Sequence, residues 1–170
     1  MQPAEPENVD VDGIVRGIYK YQPAAQKRDL NAQLLASGVG VNWAIKAQKL
    51  LLEDWGVAAD IWSVTSWNEL RRDGLEVDRH NMMNPESPRT AYITTKLAGS
   101  VGPVIAVSDF MRAVQDQVAP WVANPFTSLG TDGFGLSDTR GALRRHFRVD
   151  AESIVVATLA ALVREEKVQV

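Results

Sequence analysis

The stretch GTDGFGLSDTR, residues 130–140, has the composition of a ligand-binding loop. Three glycines, two aspartates and a serine fall within its eleven positions. A Walker-type phosphate loop needs a lysine directly after its second conserved glycine, but Leu136 occupies that position. The dinucleotide fingerprint Gly-x-Gly-x-x-Gly also fails, because the glycines lie at 130, 133 and 135. Neither phosphate-binding motif is therefore present in this stretch.

The same stretch fits a turn between a strand and a helix. Glycines allow the backbone to turn tightly, and Ser137 or Asp138 is suited to cap the helix that follows. We therefore expect a structural loop in preference to a catalytic one. If the loop does reach the active-site side of a larger assembly, Asp132, Phe134 and Ser137 are the residues we expect to lie closest to it.

Other candidates for chemistry are sparse. His80 and His146 are the two histidines, and neither has carboxylates at a repeated ligand spacing, so no metal site is predicted. His80 lies in the polar, proline-broken stretch 79–91, which predicts a loop either at the surface or facing an active site. His146 lies in the basic run 140–148, interpreted as the solvated face of a helix. Ser37 lacks the preceding glycine of a nucleophile elbow, and no triad can be assembled.

Composition and charge are those of one globular domain. The chain has 170 residues, of which 45% are hydrophobic and 23% charged, and its net charge is −3. That charge argues against nucleic-acid binding. The longest near-apolar run, residues 154–163, is too short to cross a bilayer, and the acidic N-terminus is unlike a signal peptide. With no cysteine in the chain, we expect a cytoplasmic protein that binds neither nucleic acid nor membrane.

Strand-like and helix-like segments alternate along the chain. Buried strands are predicted at 32–37, 58–64, 103–109 and 126–130. Helices are predicted at 41–55, from 66 to 73, at 92–99, at 110–118, at about 138–147 and at about 151–166. Ser66 and Glu69 form a capping-box pattern at the start of the second helix. The alternation predicts an α/β fold with a parallel or mostly parallel sheet and helices on both faces.

The two ends of the chain differ in character. Residues 1–13 contain prolines and acidic residues without apolar periodicity, which predicts a linker or arm leading into a domain at 14–170. Residues 13–21 follow as an edge strand or packed extension. The helix at 151–166 is apolar on nearly all sides, which indicates cover by a neighbouring domain or subunit. The five tryptophans are interpreted either as core packing or as a subunit interface.

Three stretches of the chain resemble one known family. They are DIWSVTSWNELRRDG (60–74), PVIAVSDFMRAVQDQV (103–118) and SLGTDGFGLSDTRGALRRHFRVDAESIV (128–155). All three are similar to the C-terminal domain of the homodimeric pyruvate dehydrogenase E1 component, in the transketolase superfamily of thiamine-diphosphate enzymes. The resemblance runs from about residue 12 to residue 166. It implies a three-layer α/β domain with a mixed, mainly parallel five-stranded sheet.

The resemblance also implies where the cofactor lies. In this family thiamine diphosphate and Mg²⁺ are bound by other domains, through Gly-Asp-Gly and an asparagine farther along the chain. Here Thr131-Asp132-Gly133 is followed by no asparagine, since the last one is Asn124. We therefore expect the cofactor in domains absent from this chain, and the chain alone to be inactive. The implied partners are the remaining E1 domains, a second E1 subunit and the dihydrolipoyl acyltransferase.

Two hypotheses of different classes follow. In the first, the chain is the structural and dimerisation domain of an E1 that decarboxylates pyruvate and reductively acetylates a lipoyl group. In the second, it is a stand-alone protein-interaction module of the same fold without catalysis, which binds partners through its acidic arm and tryptophans. A nucleotide-binding α/β protein is disfavoured by the failed phosphate motifs.

Overall fold

A computed structural model describes residues 3–4 and 6–165 of the chain. In that part the helices are α1 (Val11–Arg16), α2 (Gly40–Trp55), α3 (Trp67–Met83), α4 (Tyr92–Leu97), α5 (Arg112–Asp116), α6 (Arg140–His146) and α7 (Ala151–Arg164). The strands are β1 (Ile18–Gln22), β2 (Leu30–Ala36), β3 (Val57–Val64), β4 (Val104–Val107) and β5 (Phe126–Leu129). A short 3₁₀ helix (Ala119–Trp121) precedes β5.

The five strands form one sheet in the order β1-β3-β2-β4-β5. β2 pairs in parallel with both β3 and β4, and β4 pairs in parallel with β5. β1 lies antiparallel to β3 at the edge. The predicted mixed, mainly parallel five-stranded sheet is therefore confirmed, and residues 18–21 take the edge-strand alternative.

Helices cover both faces of the sheet because side chains of each strand alternate between two apolar clusters. In β2, Leu34 points into a cluster with α2 and α7, whereas Leu35 points into a cluster with α3 and α4. Ile105 and Ala106 of β4 divide in the same way. The predicted three-layer α/β architecture is confirmed.

Helix α1 begins inside the stretch that the sequence predicts as an arm. Residues 11–13, assigned to the arm, form the first turn of α1, whose N-cap Asp10 accepts a hydrogen bond from the Gly13 backbone N–H at 2.9 Å. An acidic residue favours a helix N-terminus, so the charge interpreted as a linker signal is a cap. Residues 1, 2 and 5 of the arm lie outside the described part.

The predicted loop at 79–91 begins too early. Ser66 caps α3 as its sequence pattern indicates, accepting from the Glu69 backbone N–H at 3.1 Å, but the helix continues to Met83. Its C-cap Asn84 stands directly before Pro85, and proline disfavours helical backbone in the preceding residue. His80 is consequently in the last helical turn and not in a loop.

The last two helices match the prediction except at one cap. Thr139 caps α6 and accepts from the Ala142 backbone N–H, so Ser137 and Asp138 are not the cap. Asp150 caps α7 as expected. α7 buries one side against the sheet and leaves Val156 exposed on the other. Residue 166, the predicted helix end, lies outside the described part, in which no helix has the length and apolarity to span a bilayer.

Two of the tryptophans pack in the core, which is one of the two interpretations offered for them. Trp62 and Trp67 are both buried in the cluster against α3 and α4. Their indole N–H groups donate to Gln33 at 2.9 Å and to Ser37 at 3.1 Å. Trp55, at the end of α2, is instead exposed.

Candidate functional site

The carboxyl ends of the parallel strands frame a crevice of about 780 Å³. β2 leads into α2 on one face of the sheet, whereas β4 leads into α5 on the other face, so the chain diverges between these two neighbouring strands. Open α/β sheets bind ligands at such a reversal of strand order. Ser37 after β2, Ser66 after β3 and Asp109 after β4 all line this crevice.

A buried hydrogen-bond network fixes the β4 side of the crevice. The Ser108 hydroxyl accepts from the Phe110 backbone N–H at 3.0 Å and from the Gln115 side-chain amide at 2.7 Å. The same amide donates to the Leu129 carbonyl at 3.1 Å. Ser108 and Gln115 are fully buried, and these three hydrogen bonds fix the segment after β4, although the Gln115 Oε1 atom has no hydrogen-bond partner among the described residues.

The first residues of the 130–140 loop are tied to this fixed segment. The Thr131 backbone N–H donates to the Phe110 carbonyl at 2.9 Å, and Asp132 accepts from the Arg112 backbone N–H at 3.0 Å. Gly130 packs so closely that a Cβ there would lie 2.5 Å from the Phe110 carbonyl oxygen. Residues 130–132 therefore form a structural turn, as the glycine content indicates.

Beyond Gly133 the loop projects away from the domain. All residues from 133 to 139 are exposed, and the exposed fraction of Phe134 reaches 93%. Leu136 is also exposed, as are Phe110 and Met111 in the segment to which the loop is anchored. We refer to Phe110, Met111, Phe134 and Leu136 as the apolar rim. Exposed apolar side chains close together on a surface are typical of contact sites.

One arginine of the basic run 140–148 is not solvated, contrary to prediction. Arg144 forms two parallel hydrogen bonds with the Asp109 carboxylate, at 2.9 and 3.0 Å. Its side chain is only 11% exposed, and its guanidinium carbon lies 5.3 Å from the centre of the Trp43 ring. His146, in contrast, is exposed as expected. The bidentate pair joins the crevice wall to α6.

Apolar and hydroxyl-bearing side chains make up most of the crevice lining. The described residues that line it include no histidine, cysteine or lysine. Ser37 accepts a hydrogen bond from Trp67, and Asp109 is held by Arg144, so these two side chains do not form a nucleophile–base pair. Burial, with the neighbouring Tyr19 as a smaller cause, raises the pKa of the Tyr21 hydroxyl above its usual value. That hydroxyl donates to the Ala4 carbonyl at 2.9 Å.

The structure separates the residues predicted to approach an active site. Asp132 belongs to the anchored part of the loop, whereas Phe134 and Ser137 belong to the exposed part. His80 lines a different groove on the outer side of α3 and hydrogen bonds to the Ser87 carbonyl at 3.0 Å. Sequence reasoning missed Asp109 and Arg144, whose pairing depends on two segments far apart in the chain.

The donor groups near the loop do not fit a magnesium-diphosphate site. Both carboxylate oxygens of Asp109 are occupied by Arg144, and one oxygen of Asp132 accepts from the Arg112 backbone. Within the described ranges no three histidine or acidic residues come together in a metal-binding arrangement. A Mg²⁺–diphosphate group needs several convergent oxygen ligands, which this loop does not offer.

Comparison with known families identifies the class of protein to which this fold belongs. The chain belongs to the family described as the transketolase-like TK C-terminal domain, whose model matches residues 17–150. A transketolase from Leishmania mexicana superposes with a TM-score of 0.60 at 19% identity, over 93% of this chain and 20% of that one. A transketolase from Pichia stipitis gives a TM-score of 0.62 over 96% of this chain.

The relatives with higher sequence identity are pyruvate dehydrogenase E1 components. The pyruvate dehydrogenase E1 component of Mycolicibacterium smegmatis is 54% identical over 168 residues, which are 98% of this chain and 18% of the relative. The E1 component of Mycobacterium tuberculosis is 53% identical over 163 residues, and that of Escherichia coli K12 is 41% identical over 168 residues. The chain thus spans 18% of the length of each of these relatives.

Proposed function

We propose that this chain is the C-terminal domain of a pyruvate dehydrogenase E1 and acts there as scaffold and contact surface. The observation that carries the proposal is the 54% identity over 98% of the chain to an E1 component. Identity this high across a whole domain indicates the same fold and a similar core. The complete enzyme would decarboxylate pyruvate and reductively acetylate a lipoyl group on a dihydrolipoyl acyltransferase in the cytoplasm.

Thiamine diphosphate and Mg²⁺ would be held by the other domains of that enzyme, where the cofactor supplies the decarboxylation chemistry. The donor set of this chain supports that assignment, because its carboxylates near the crevice are already paired. The chain alone is then inactive. Its contribution is to position neighbouring domains and a second E1 subunit.

The apolar rim is the surface we assign to that contact. Phe134 at 93% exposure and Phe110 at 58% lie on segments joined by the Thr131–Phe110 backbone hydrogen bond. A rigid support with exposed aromatic side chains is typical of a domain interface, where aromatic residues and methionine are enriched. Burial of one such side chain contributes about 1.5–3 kcal/mol.

A domain exchange tests the proposal. The matching C-terminal part of the Mycolicibacterium smegmatis relative is replaced by this chain, and pyruvate-dependent reduction of an artificial electron acceptor is measured. We expect the chimera to retain activity within about tenfold of the parent, a barrier change of about 1.4 kcal/mol. The truncated parent without the domain serves as the inactive reference.

Failure of the exchange has a defined meaning. A chimera that is folded and dimeric but as inactive as the truncated parent would contradict the scaffold role. If the isolated chain in the same experiment is stable and monomeric, the stand-alone interaction module becomes the better description. Circular dichroism and light scattering on the purified chimera distinguish this result from misfolding.

A further inference from the structure

A second cavity lies on the outer side of α3. It shares one lining residue, Asn68, with the crevice. It has a volume of about 700 Å³ and lies between α3 and the segment 84–89 that follows it. Its lining includes Arg71, Arg72, Arg79 and Arg89 together with the apolar Leu75 and Met83. We call this feature the arginine groove.

Hydrogen bonds hold the second wall of the groove in place. Asn81 accepts from the Arg89 backbone N–H at 2.7 Å and donates to the Arg89 carbonyl at 2.9 Å. The Asn84 side chain donates to the His80 carbonyl at 2.9 Å, and His80 contacts the Ser87 carbonyl at 3.0 Å. Segment 84–89 therefore lies fixed against the helix, with Arg89 beside the groove.

The positive charge of the groove is largely uncompensated. Its lining holds four arginines and one acidic residue, Glu76. Arg72 pairs with Glu69 at 2.5 Å, whereas the guanidinium groups of Arg71, Arg79 and Arg89 make no hydrogen bond or ion pair with the described residues. Since the whole chain has a net charge of −3, the cluster is a local feature of the surface.

Apolar side chains lie among these charges. Leu75 is 45% and Met83 70% exposed, and both line the groove with Arg79 between them in sequence. Arg72, Leu75, Arg79 and Met83 are spaced by three or four residues on α3, which places them on one stripe of a helix. Arginine and methionine are both enriched in protein interfaces.

We propose that the arginine groove binds an acidic segment of a partner protein, with apolar residues that contact Leu75 and Met83. Arg79 lies eight positions after Arg71 on α3, a rise of about 12 Å, which is too long for one small anion and suits a peptide. The exposed apolar side chains of Leu75 and Met83 and the net negative charge of the chain disfavour nucleic acid. The proposal goes beyond the function proposed above and requires that the groove stays exposed when the chain is part of an E1.

Fluorescence anisotropy with a labelled synthetic peptide tests the groove. The probe places glutamate pairs between leucines at helical spacing, and it is titrated with the purified chain at low and at high salt. We expect saturable binding that weakens at high salt, because exposed charges are screened. The R71E/R79E variant should bind at least about tenfold more weakly, as charge reversal adds repulsion.

A matched variant controls for net charge. Lys27 and Arg140 are exposed and lie outside the groove, so K27E/R140E makes the same change in charge and should alter the dissociation constant by less than about twofold. Leu75→Glu should weaken binding without reducing thermal stability, since the side chain is on the surface.

Four results would overturn the proposal. They are no saturable binding, equal weakening by R71E/R79E and K27E/R140E, tighter binding of a single-stranded oligonucleotide than of the peptide, and loss of binding when the chain is part of the E1 chimera. The last result would mean that another E1 domain already covers the groove. Circular dichroism of each variant establishes that it is folded, and Leu75→Glu remains informative if the double variant is not.

Discussion

The two halves of the 130–140 loop have similar compositions and opposite roles. Residues 130–132 are bonded to the segment after β4, whereas residues 133–139 are exposed. Each half contains glycine and a carboxylate, so residue types do not distinguish them. The difference is made by Phe110 and Arg112, whose backbone groups reach the first half only. The same ligand-like composition thus corresponds to an anchored turn in one half and to an exposed segment in the other.

The largest expected effect is at Gly130. An alanine Cβ would lie 2.5 Å from the Phe110 carbonyl oxygen and 2.8 Å from the Arg112 nitrogen, so the two segments must separate. We expect Gly130→Ala to lower the free energy of unfolding by about 2 kcal/mol, measured by urea denaturation. Gly135→Ala is the control, since no atom lies within 4 Å of its Cβ position. Equal losses in both variants would contradict the division of the loop.

A smaller loss is expected at Asp132. Its carboxylate accepts the Arg112 backbone N–H at 3.0 Å, and removal of one such hydrogen bond costs about 1 kcal/mol. Asp132→Ala should show this loss in thermal unfolding, whereas Ser137→Ala in the exposed half should leave the midpoint unchanged. If Ser137→Ala is the more damaging substitution, the second half of the loop is also anchored.

A smaller effect again is expected at the ion pair between Asp10 and Lys96, whose charged atoms lie 2.5 Å apart. The hydrogen bond from Lys96, followed by that from the Gly13 backbone, holds the pKa of Asp10 below its ordinary value of 3.8. Because the folded-state pKa is lowered, the stabilisation is present at neutral pH and is lost as the pH falls through the folded-state pKa. Asp10→Asn retains the helix cap and should cost about 0.5 kcal/mol near neutrality.

The pH dependence of this variant is the sharper measurement. The difference in free energy of unfolding between Asp10→Asn and the parent should vanish at a pH well below 3.8, the ordinary pKa of the group. Glu86→Gln, at an exposed site after α3, serves as the control. A difference that stays constant over this pH range would show that the charge of Asp10 does not matter.

The smallest effect on stability is expected at the apolar rim. Phe134 is 93% exposed, so Phe134→Asp should change the unfolding midpoint of the chain by less than the error of the measurement. In the E1 chimera the same substitution should reduce dimer formation, followed by analytical ultracentrifugation. Val101→Asp, at an exposed apolar site in the loop before β4, is the matched control. An unchanged dimer in Phe134→Asp would remove the rim from the contact surface.

Periodicity in the sequence predicted most of the sheet and its helices because buried strands and amphipathic helices have distinct spacings. α1 was missed, since six residues with one buried position carry no apolar period. The end of α3 was placed too early because polar residues before Pro85 look like a loop. Arg144 was assigned to solvent because nothing local shows that Asp109, 35 residues away, pairs with it.

The candidate site was less predictable than the fold. The crevice depends on the strand order β1-β3-β2-β4-β5, and alternation of strands and helices does not specify that order. The resemblance of three stretches to the E1 family predicted the mixed five-stranded sheet. The match of the family model to residues 17–150 confirms that resemblance. The arginine groove could not be predicted either, because Arg89 joins it only through the bonds of Asn81.

The central claim is that this chain supplies scaffold and contact surface and holds no cofactor of its own. Calorimetric titration of the purified chain with thiamine diphosphate and Mg²⁺ tests it most directly. We predict no saturable heat of binding, because the carboxylates of Asp109 and Asp132 are engaged in contacts within the domain. Saturable binding near one cofactor per chain, abolished by Asp132→Ala, would contradict the account.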